Sequence, residues 1–184
     1  HTLQVRLSAC QTCHPAAATL DQLKDIRMMS SLHTDYDGDG NTNEGIYYEM
    51  VGARDVLHGR IREYARAHGG PICYQEAKHP FFFHDTNDDG SCADEEAVSA
   101  NSYAGFTPRL LRAAYNVQVA TKDPGAFAHN AKYLIETLFD SAADLNGALA
   151  TPLDLSAMHR NDPGHFNGSG KPARYWDTYE DGVS

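Results

Sequence analysis

The residues with the most specific chemistry lie near the amino terminus, where positions 10 to 14 form a C-x-x-C-H pattern. This spacing is typical of covalent haem attachment. The thiols of Cys10 and Cys13 add to the porphyrin vinyl groups, and His14 binds the iron as the proximal axial ligand. A zinc site is the alternative, but zinc would need a second Cys/His pair at similar spacing, and Cys73 and Cys92 each stand alone. The sequence therefore predicts one covalently attached haem c.

The two remaining cysteines, Cys73 and Cys92, lie on either side of an aromatic segment. Attachment of haem c takes place outside the bacterial cytoplasm, and an oxidising compartment would let these two thiols form a disulfide. Such a bond closes a loop of about twenty residues and contributes about 3 kcal/mol to stability. Two buried free thiols are the alternative. We predict the disulfide, and a periplasmic or extracellular (cell-surface) location.

An acidic run at positions 85 to 96 matches the twelve-residue calcium loop of the EF-hand without a gap. Gly90 falls at position 6, where the loop turns sharply, and Ala93 at position 9 would act through a water molecule. Calcium needs many hard oxygen ligands, which this alternating spacing supplies. A solvated acidic turn is the alternative. The ligands predicted for this run are Asp85, Asn87, Asp89, Ser91 and Glu96.

An earlier acidic run, which begins at position 35, fits the same loop less well. Its position 12 is Ile46, which cannot bind calcium, so the closing carboxylate would come from Glu44 or from Glu49 one helical turn further on. A plain acidic turn is again the alternative. The ligands predicted for this run are Asp35, Asp37, Asp39, Asn41 and Glu44. We expect one or two calcium ions with a structural role, since the chain has no methionine-rich groove of the kind that a calcium sensor exposes.

Helices are predicted to position these sites. Apolar spacing favours a short helix around 20–27, a long helix over about 43–68 that ends at two glycines, and a third over about 128–145. Thr107 and Pro108 mark a further helix start, which continues to about Ala120. The aromatic block at 80–83 is too short for a helix. From about Thr151 onward, Pro, Gly, Asn and Asp predict an ordered coil. The expected fold is mainly α, an irregular helical c-type haem domain with two EF-hand-like calcium loops and a long coil at the carboxyl terminus, in one domain over 1–184.

The bulk composition narrows the classes of partner. The chain has 184 residues, a mass of 20.2 kDa and a formal net charge of -10 at pH 7. This charge argues against binding to nucleic acid and to an anionic membrane surface. No apolar run reaches about 18 residues, so no transmembrane span is predicted. No signal peptide is visible, and a start at His1 suggests a mature, processed or excised chain.

Six further runs of the sequence are specific enough to compare with known families. They lie, in order, at 35–40, 44–49, 80–83, 107–116, 122–130 and 159–166. Together with the haem motif they resemble the calcium-loop haem domain of large polyhaem, membrane-associated c-type cytochromes, the multihaem cytochrome c family. The resemblance covers nearly the whole chain. It implies electron transfer outside the cytoplasmic membrane between haems packed in series. Such domains belong to chains with several C-x-x-C-H motifs, whereas this chain has one. It is therefore either a monohaem subunit or a piece of a longer polypeptide.

The second axial ligand of the haem distinguishes an electron carrier from a catalyst. A six-coordinate iron transfers electrons, whereas an open iron binds small molecules. His129 follows a Pro-Gly break at a helix start, where a rigid scaffold can aim an imidazole, and we rank it first. The other candidates are His165, then His33, and the thioethers of Met28 and Met29.

Three classes of function follow from these residues. The first is an electron-transfer cytochrome braced by calcium, whose partners are other cytochrome subunits or haem domains and a redox partner protein. The second is a haem reductase or peroxidase, or its electron-input subunit, with an open iron and with Tyr115, His58 or Arg109 as acid groups. The third is a calcium-dependent interaction module. We favour the first, which is not an enzyme.

Overall fold

A 23-residue helix, α3 (Ile46–His68), lies at the centre of the fold. The structure is a computed structural model that describes residues 6–27, 31 and 33–160. Apolar side chains of α3 recur every three or four residues and are buried, so the helix packs on more than one neighbour. The helices α4 (Pro108–Lys122) and α6 (Ala131–Asn146) pack against α3 and against each other. These three helices form most of the hydrophobic core.

The predicted start of α4 is confirmed. Thr107 Oγ1 accepts a hydrogen bond from the Leu110 amide at 3.2 Å, and Pro108 occupies the first helical turn. The single helix predicted over 128–145 is wrong at its beginning, because the chain forms a short helix α5 (Ala126–His129) before α6. Asn130, with φ -151°, leaves the helical conformation and separates the two.

Two short helices lie near the amino terminus, α1 (Leu7–Cys10) and α2 (Leu20–Lys24). A capping box between Thr19 and Gln22 begins α2. The predicted continuation of this helix to residue 27 is wrong. The Ile26 carbonyl accepts a hydrogen bond from the Ile46 amide at 3.4 Å, so the chain leaves the helix to pair with the start of α3.

The aromatic block forms part of a two-stranded antiparallel hairpin, β1 (Ile72–Tyr74) and β2 (Phe82–His84). Phe83 lies opposite Cys73 and is fully buried in a small second core. The disulfide predicted between Cys73 and Cys92 is present, and it joins β1 to the acidic run at 85–96. A 3₁₀ turn (Ser99–Asn101) then leads toward α4.

The described part of the tail, residues 151–160, has the predicted coil conformation. The side chain of Asn146 holds its first part through two hydrogen bonds with the backbone of Leu153. The His159 amide donates to the Tyr36 carbonyl, so the tail crosses the first acidic run. No helix within the described ranges has the length and apolar composition of a membrane span.

The core prediction concerns Leu57, which is fully buried at the middle of α3. Leu57→Ala is expected to lower the free energy of unfolding by about 3 kcal/mol, because it removes buried apolar surface and leaves a cavity. Chemical denaturation would measure the change. Leu111→Ala is the matched control, since Leu111 is 54% exposed, and it should change stability by less than about 0.5 kcal/mol. Equal effects for the two variants would contradict the packing described above.

Candidate metal centres

The C-x-x-C-H residues form one tight turn at the end of α1. The amides of Cys13 and His14 both donate to the Cys10 carbonyl, at 3.1 and 2.9 Å. Cys10 is half-buried and packs against the hydrophobic core, whereas Cys13 and His14 are exposed. Both thiols are free. The turn therefore presents two reactive sulfurs and an imidazole on a segment that Cys10 holds against the protein.

This donor set suits a haem better than a zinc ion. The His14 ring makes no hydrogen bond to the residues that the structure describes, so its nitrogens are available to a metal. The clusters of metal-ligating side chains within those residues are all acidic, and they include neither thiol nor His14. A zinc site would bring three or four such ligands together on one ion. Thioether attachment with one axial imidazole requires only the spacing that the turn provides.

The acidic run at 85–96, which we call loop 2, has a series of hydrogen bonds between its side chains and its own backbone. Asp85 Oδ2 accepts from the amide of Gly90 at 2.8 Å, and the Asn87 side chain accepts from the amide of Asp89 at 3.1 Å. Asp89 Oδ1 accepts from the amide of Ser91 at 2.7 Å. Gly90 has φ +82°, which a side chain would strain. Asp85, Asn87 and Asp89 thus each accept a hydrogen bond from the backbone of the loop.

The carboxylate of Glu96 closes loop 2. Its Oε1 accepts from the amide and the hydroxyl of Thr86, both at 2.7 Å, and its Oε2 accepts from the amide of Ala93 at 3.1 Å. The Thr86 hydroxyl and these amides lower the pKa of Glu96, so the side chain is ionised. The charged Glu96 carboxylate therefore lies at position 12 of the loop, which supplies the bidentate ligand in EF-hand calcium sites.

The run that begins at Asp35, which we call loop 1, repeats the pattern of loop 2. Asp35 Oδ2 accepts from the amide of Gly40 at 2.8 Å, and Asp37 Oδ1 accepts from the amide of Asp39 at 3.1 Å. Asp39 Oδ1 accepts from the amide of Asn41 at 2.7 Å. Gly40 has φ +90°, close to the +82° of Gly90 in loop 2. Three hydrogen bonds and one glycine conformation therefore recur at equivalent positions.

Glu49 accepts a backbone hydrogen bond in loop 1 equivalent to one that Glu96 accepts in loop 2. Its Oε2 accepts from the amide of Tyr36 at 2.7 Å, as Glu96 accepts from the amide that follows Asp85. It also accepts from the amide of Asp37 at 3.3 Å, and its Oε1 lies 2.6 Å from the guanidinium of Arg27. Glu49 is fully buried on the first turn of α3. The sequence named it only as the alternative to Glu44.

Glu44 lies at the edge of loop 1. Its Oε2 accepts from Asn41 Nδ2 at 3.2 Å, and its Oε1 is buried without a hydrogen-bond partner among the described residues. The ligand atoms of Asp37, Asp39 and Glu44 lie within 4.8 Å of one another, as do those of Asp35, Asp37 and Glu49. In the described part of loop 2, no three acidic ligand atoms come this close.

The pKa of Asp37 reflects the close approach of the acidic side chains in loop 1. Burial raises the pKa of Asp37 to about 7, and the nearby carboxylates of Asp39, Glu49 and Glu44 add to the rise. A carboxylate with this pKa is only partly ionised at neutral pH. A cation among these oxygens would remove the repulsion and favour the charged form.

The candidates for the second axial ligand have different surroundings. His129 ends α5, its side chain is 62% exposed, and its Nε2 lies 3.8 Å from Asp123 Oδ1. His33 is exposed and has a positive φ of 63°. His165, Met28 and Met29 lie outside the described residues. An imidazole as exposed as that of His129 is free to turn toward a metal.

The acid groups suggested for a catalytic haem do not converge. Arg109 lines a groove of about 300 Å³ between α4 and α6 and pairs with Asp144 at 3.1 Å. His58 lines a separate cavity of about 90 Å³, where burial lowers its pKa to about 4. Tyr115 is 67% exposed. Among the described residues, Arg109 and His58 thus line separate pockets.

Arg27 is the residue that sequence reasoning missed. The sequence placed it on a helix, whereas it lies beyond α2 with its side chain only 5% exposed, against loop 1. The sequence did carry a signal for this contact. Arg27 lies among apolar residues, and it comes shortly before an acidic loop that lacks a ligand at position 12.

Comparison with known proteins gives a partial match. The chain is 32% identical over 71 residues to a C-type polyheme cytochrome, OmcC, of Geobacter sulfurreducens, a match that covers 34% of this chain and 9% of the relative. It is equally similar to OmcB of two strains of the same organism, over 10% of their length. The similarity links the chain to polyhaem c-type cytochromes. The match thus spans about a tenth of the length of these curated relatives. No family model and no solved structure matches.

Proposed function

We propose that this chain is an extracytoplasmic electron-transfer cytochrome that carries one haem c, bound through Cys10 and Cys13 with His14 as the proximal ligand. The observation that carries the proposal is the tight turn at the end of α1, which holds two free thiols and one imidazole without a hydrogen-bond partner among the described residues. The partial similarity to polyhaem c-type cytochromes supports it. The partners are other cytochrome subunits or haem domains and a redox partner protein, in a multi-haem assembly.

Electrons would enter and leave the haem through the exposed side of the attachment turn. When bound, the haem supplies a one-electron iron couple. Cys10 packs against the core and anchors the attachment turn, while Cys13 and His14 face solvent. The exposed side of the turn leaves room for a haem of a neighbouring chain to approach. This arrangement suits transfer between subunits.

Calcium in the two loops is the second part of the proposal. In loop 2 the ligands are Asp85, Asn87, Asp89, the Ser91 carbonyl and Glu96. In loop 1 they are Asp35, Asp37, Asp39, the Asn41 carbonyl and Glu44. Glu44 is the closing ligand in loop 1, because the Glu49 carboxylate already forms an ion pair with Arg27, whereas Glu44 Oε1 has no hydrogen-bond partner among the described residues. The ions act as braces for the haem domain.

The optical spectrum of the purified holoprotein tests the electron-transfer function. We expect sharp low-spin c-type bands in the reduced protein that carbon monoxide does not change, because a second side chain occupies the iron. His129→Ala should then give a high-spin spectrum that responds to carbon monoxide. His79→Ala is the matched control, since His79 is also exposed, and its spectrum should stay unchanged.

Two results would redirect the proposal. A carbon monoxide response in the unmodified protein would favour the reductase or peroxidase alternative, with an open iron. A low-spin spectrum that survives in His129→Ala would eliminate His129 as the ligand and leave His165 as the next candidate, while the electron-transfer function would stand.

A further inference from the structure

Arg27 holds the entrance and the exit of loop 1 together. Its Nη1 donates to the Glu44 carbonyl at 2.8 Å, to the Thr42 carbonyl at 3.4 Å and to Glu49 Oε1 at 2.6 Å. Its Nη2 donates to the carbonyl of Thr34, the residue just before the loop. One buried guanidinium therefore contacts the residue before the loop, the last part of the loop and the first turn of α3. A planar fork with several donors can make these bonds at once.

The exit of loop 1 also lies directly against the end of α2. A Cβ added to Gly45 would be 2.0 Å from the Lys24 carbonyl oxygen and 2.3 Å from Asp25 Cα. The next amide, that of Ile46, donates to the Ile26 carbonyl at 3.4 Å. The two backbones are thus in contact, and a movement of one displaces the other.

The segment in contact with loop 1 is the one that carries the haem motif. Residues 6–27 run from α1 through the attachment turn to α2 and Arg27. Ala17 and Leu23 are buried in the main core between the turn and Arg27, and Cys10 packs against the same core. The attachment turn and Arg27 therefore lie on one segment that is held against the main core at these three positions.

Loop 2 has no comparable connection. Arg62 donates to the Gly90 carbonyl at 2.9 Å, Arg66 pairs with Asp88, and the disulfide joins Cys92 to β1. These contacts lead to the second half of α3 and to the hairpin. No hydrogen bond, ion pair or disulfide recorded for the described residues joins loop 2 to residues 6–27. The two loops therefore differ in what a bound cation could affect.

We propose that Arg27 is a positioning residue that couples cation binding in loop 1 to the reduction potential of the haem on residues 10–14. This inference rests on the proposed haem and calcium sites and assigns a regulatory role to loop 1 alone. Coupling between two sites is reciprocal, so calcium shifts the potential by as much as reduction shifts the affinity for calcium. A bound dication favours the less positive, reduced haem. Calcium should therefore raise the potential.

The size of the effect follows from the coupling factor. Coupling between sites in proteins is typically about 5- to 150-fold in affinity. We expect the reduced protein to bind calcium in loop 1 about tenfold more tightly than the oxidised protein. For a one-electron couple this tenfold ratio corresponds to a rise of about 59 mV in midpoint potential.

The experiment compares two conservative arginine variants of the holoprotein. Arg27→Lys keeps the charge but removes the fork, whereas Arg66→Lys makes the same change beside loop 2. Midpoint potentials are measured by spectroelectrochemical titration with calcium and with a chelator. The unmodified protein and Arg66→Lys should both show the calcium-dependent rise, and Arg27→Lys should lose most of it. Asp35→Asn should abolish the rise and Asp85→Asn should preserve it.

Separate measurements distinguish the ways in which the proposal can fail. Mass spectrometry reports attachment of the haem, and calorimetry reports binding of calcium. If both are present and the potential does not respond to calcium, the coupling is overturned while the proposed function stands. If the Arg27→Lys variant retains the calcium-dependent rise in midpoint potential, the role of Arg27 is overturned. If no calcium binds to loop 1, the coupling and the calcium part of the proposed function fall together.

Discussion

Replacing both Cys10 and Cys13 with alanine should eliminate covalent haem from the protein. Each thioether requires one of these sulfurs, and within the described residues they are the only free thiols. Expressed with a cytochrome maturation system, the double variant should have the mass of the bare polypeptide and give no haem stain on a denaturing gel. The unmodified protein should carry one haem per chain. Intact mass and the pyridine haemochrome spectrum measure both quantities.

A second cysteine pair supplies the control for that experiment. Cys73 and Cys92 form the disulfide, so Cys73→Ser with Cys92→Ser should leave the haem mass unchanged and lower stability by about 2 to 5 kcal/mol. Haem that remains covalently bound after loss of Cys10 and Cys13 would contradict the assigned attachment site. A haem content other than one per chain would contradict the predicted stoichiometry.

Calcium should stabilise the protein, and Glu96→Gln should remove the part of that gain that loop 2 provides. At calcium concentrations 100 times the dissociation constant, one site adds about 2.7 kcal/mol to the free energy of unfolding. The variant replaces the closing carboxylate with a neutral amide, which weakens bidentate binding. Urea denaturation with calcium and with a chelator, repeated for the variant, gives the difference directly.

Glu95→Gln is the matched control for loop 2, because Glu95 is exposed and precedes the closing position. It should keep the full calcium-dependent gain. If chelation leaves the stability of the unmodified protein unchanged, the structural role of both loops is wrong. If Glu95→Gln and Glu96→Gln lose the same amount, general surface charge explains the effect better than a defined site.

Local sequence signals predicted the parts of the fold that depend on neighbouring residues. The Thr107 cap and the first turn of α4 follow from adjacent residues, and the spacing along α3 follows from its own apolar face. The hairpin was not predicted as strands, since each strand has only three residues, too few to show a clear alternating pattern. Asn130 is a residue type favoured at helix N-caps, a signal that the apolar spacing on either side of it outweighed in the prediction.

The candidate sites also differ in whether neighbouring residues or distant residues form them. Loop 2 is contiguous, so its twelve positions could be assigned from the sequence alone. Loop 1 has a buried partner network with Arg27 on one side and Glu49 on the other, 22 residues apart in the chain. No local pattern predicts that an arginine after α2 meets a glutamate in α3. Only the packing of α2 against the start of α3 brings them together.

The disulfide suggests that the two loops form at different stages of folding. The hairpin, the bridge between Cys73 and Cys92 and all of loop 2 come from one short stretch, with a separation of 19 residues across the bridge. Contacts between near neighbours form early, since little chain entropy is lost in closing them. Loop 1 instead receives the Met158 side chain and the His159 amide from the far end of the described chain. Pulsed hydrogen exchange should show the amides of loop 2 protected first and those of loop 1 only after the tail has packed against Tyr36.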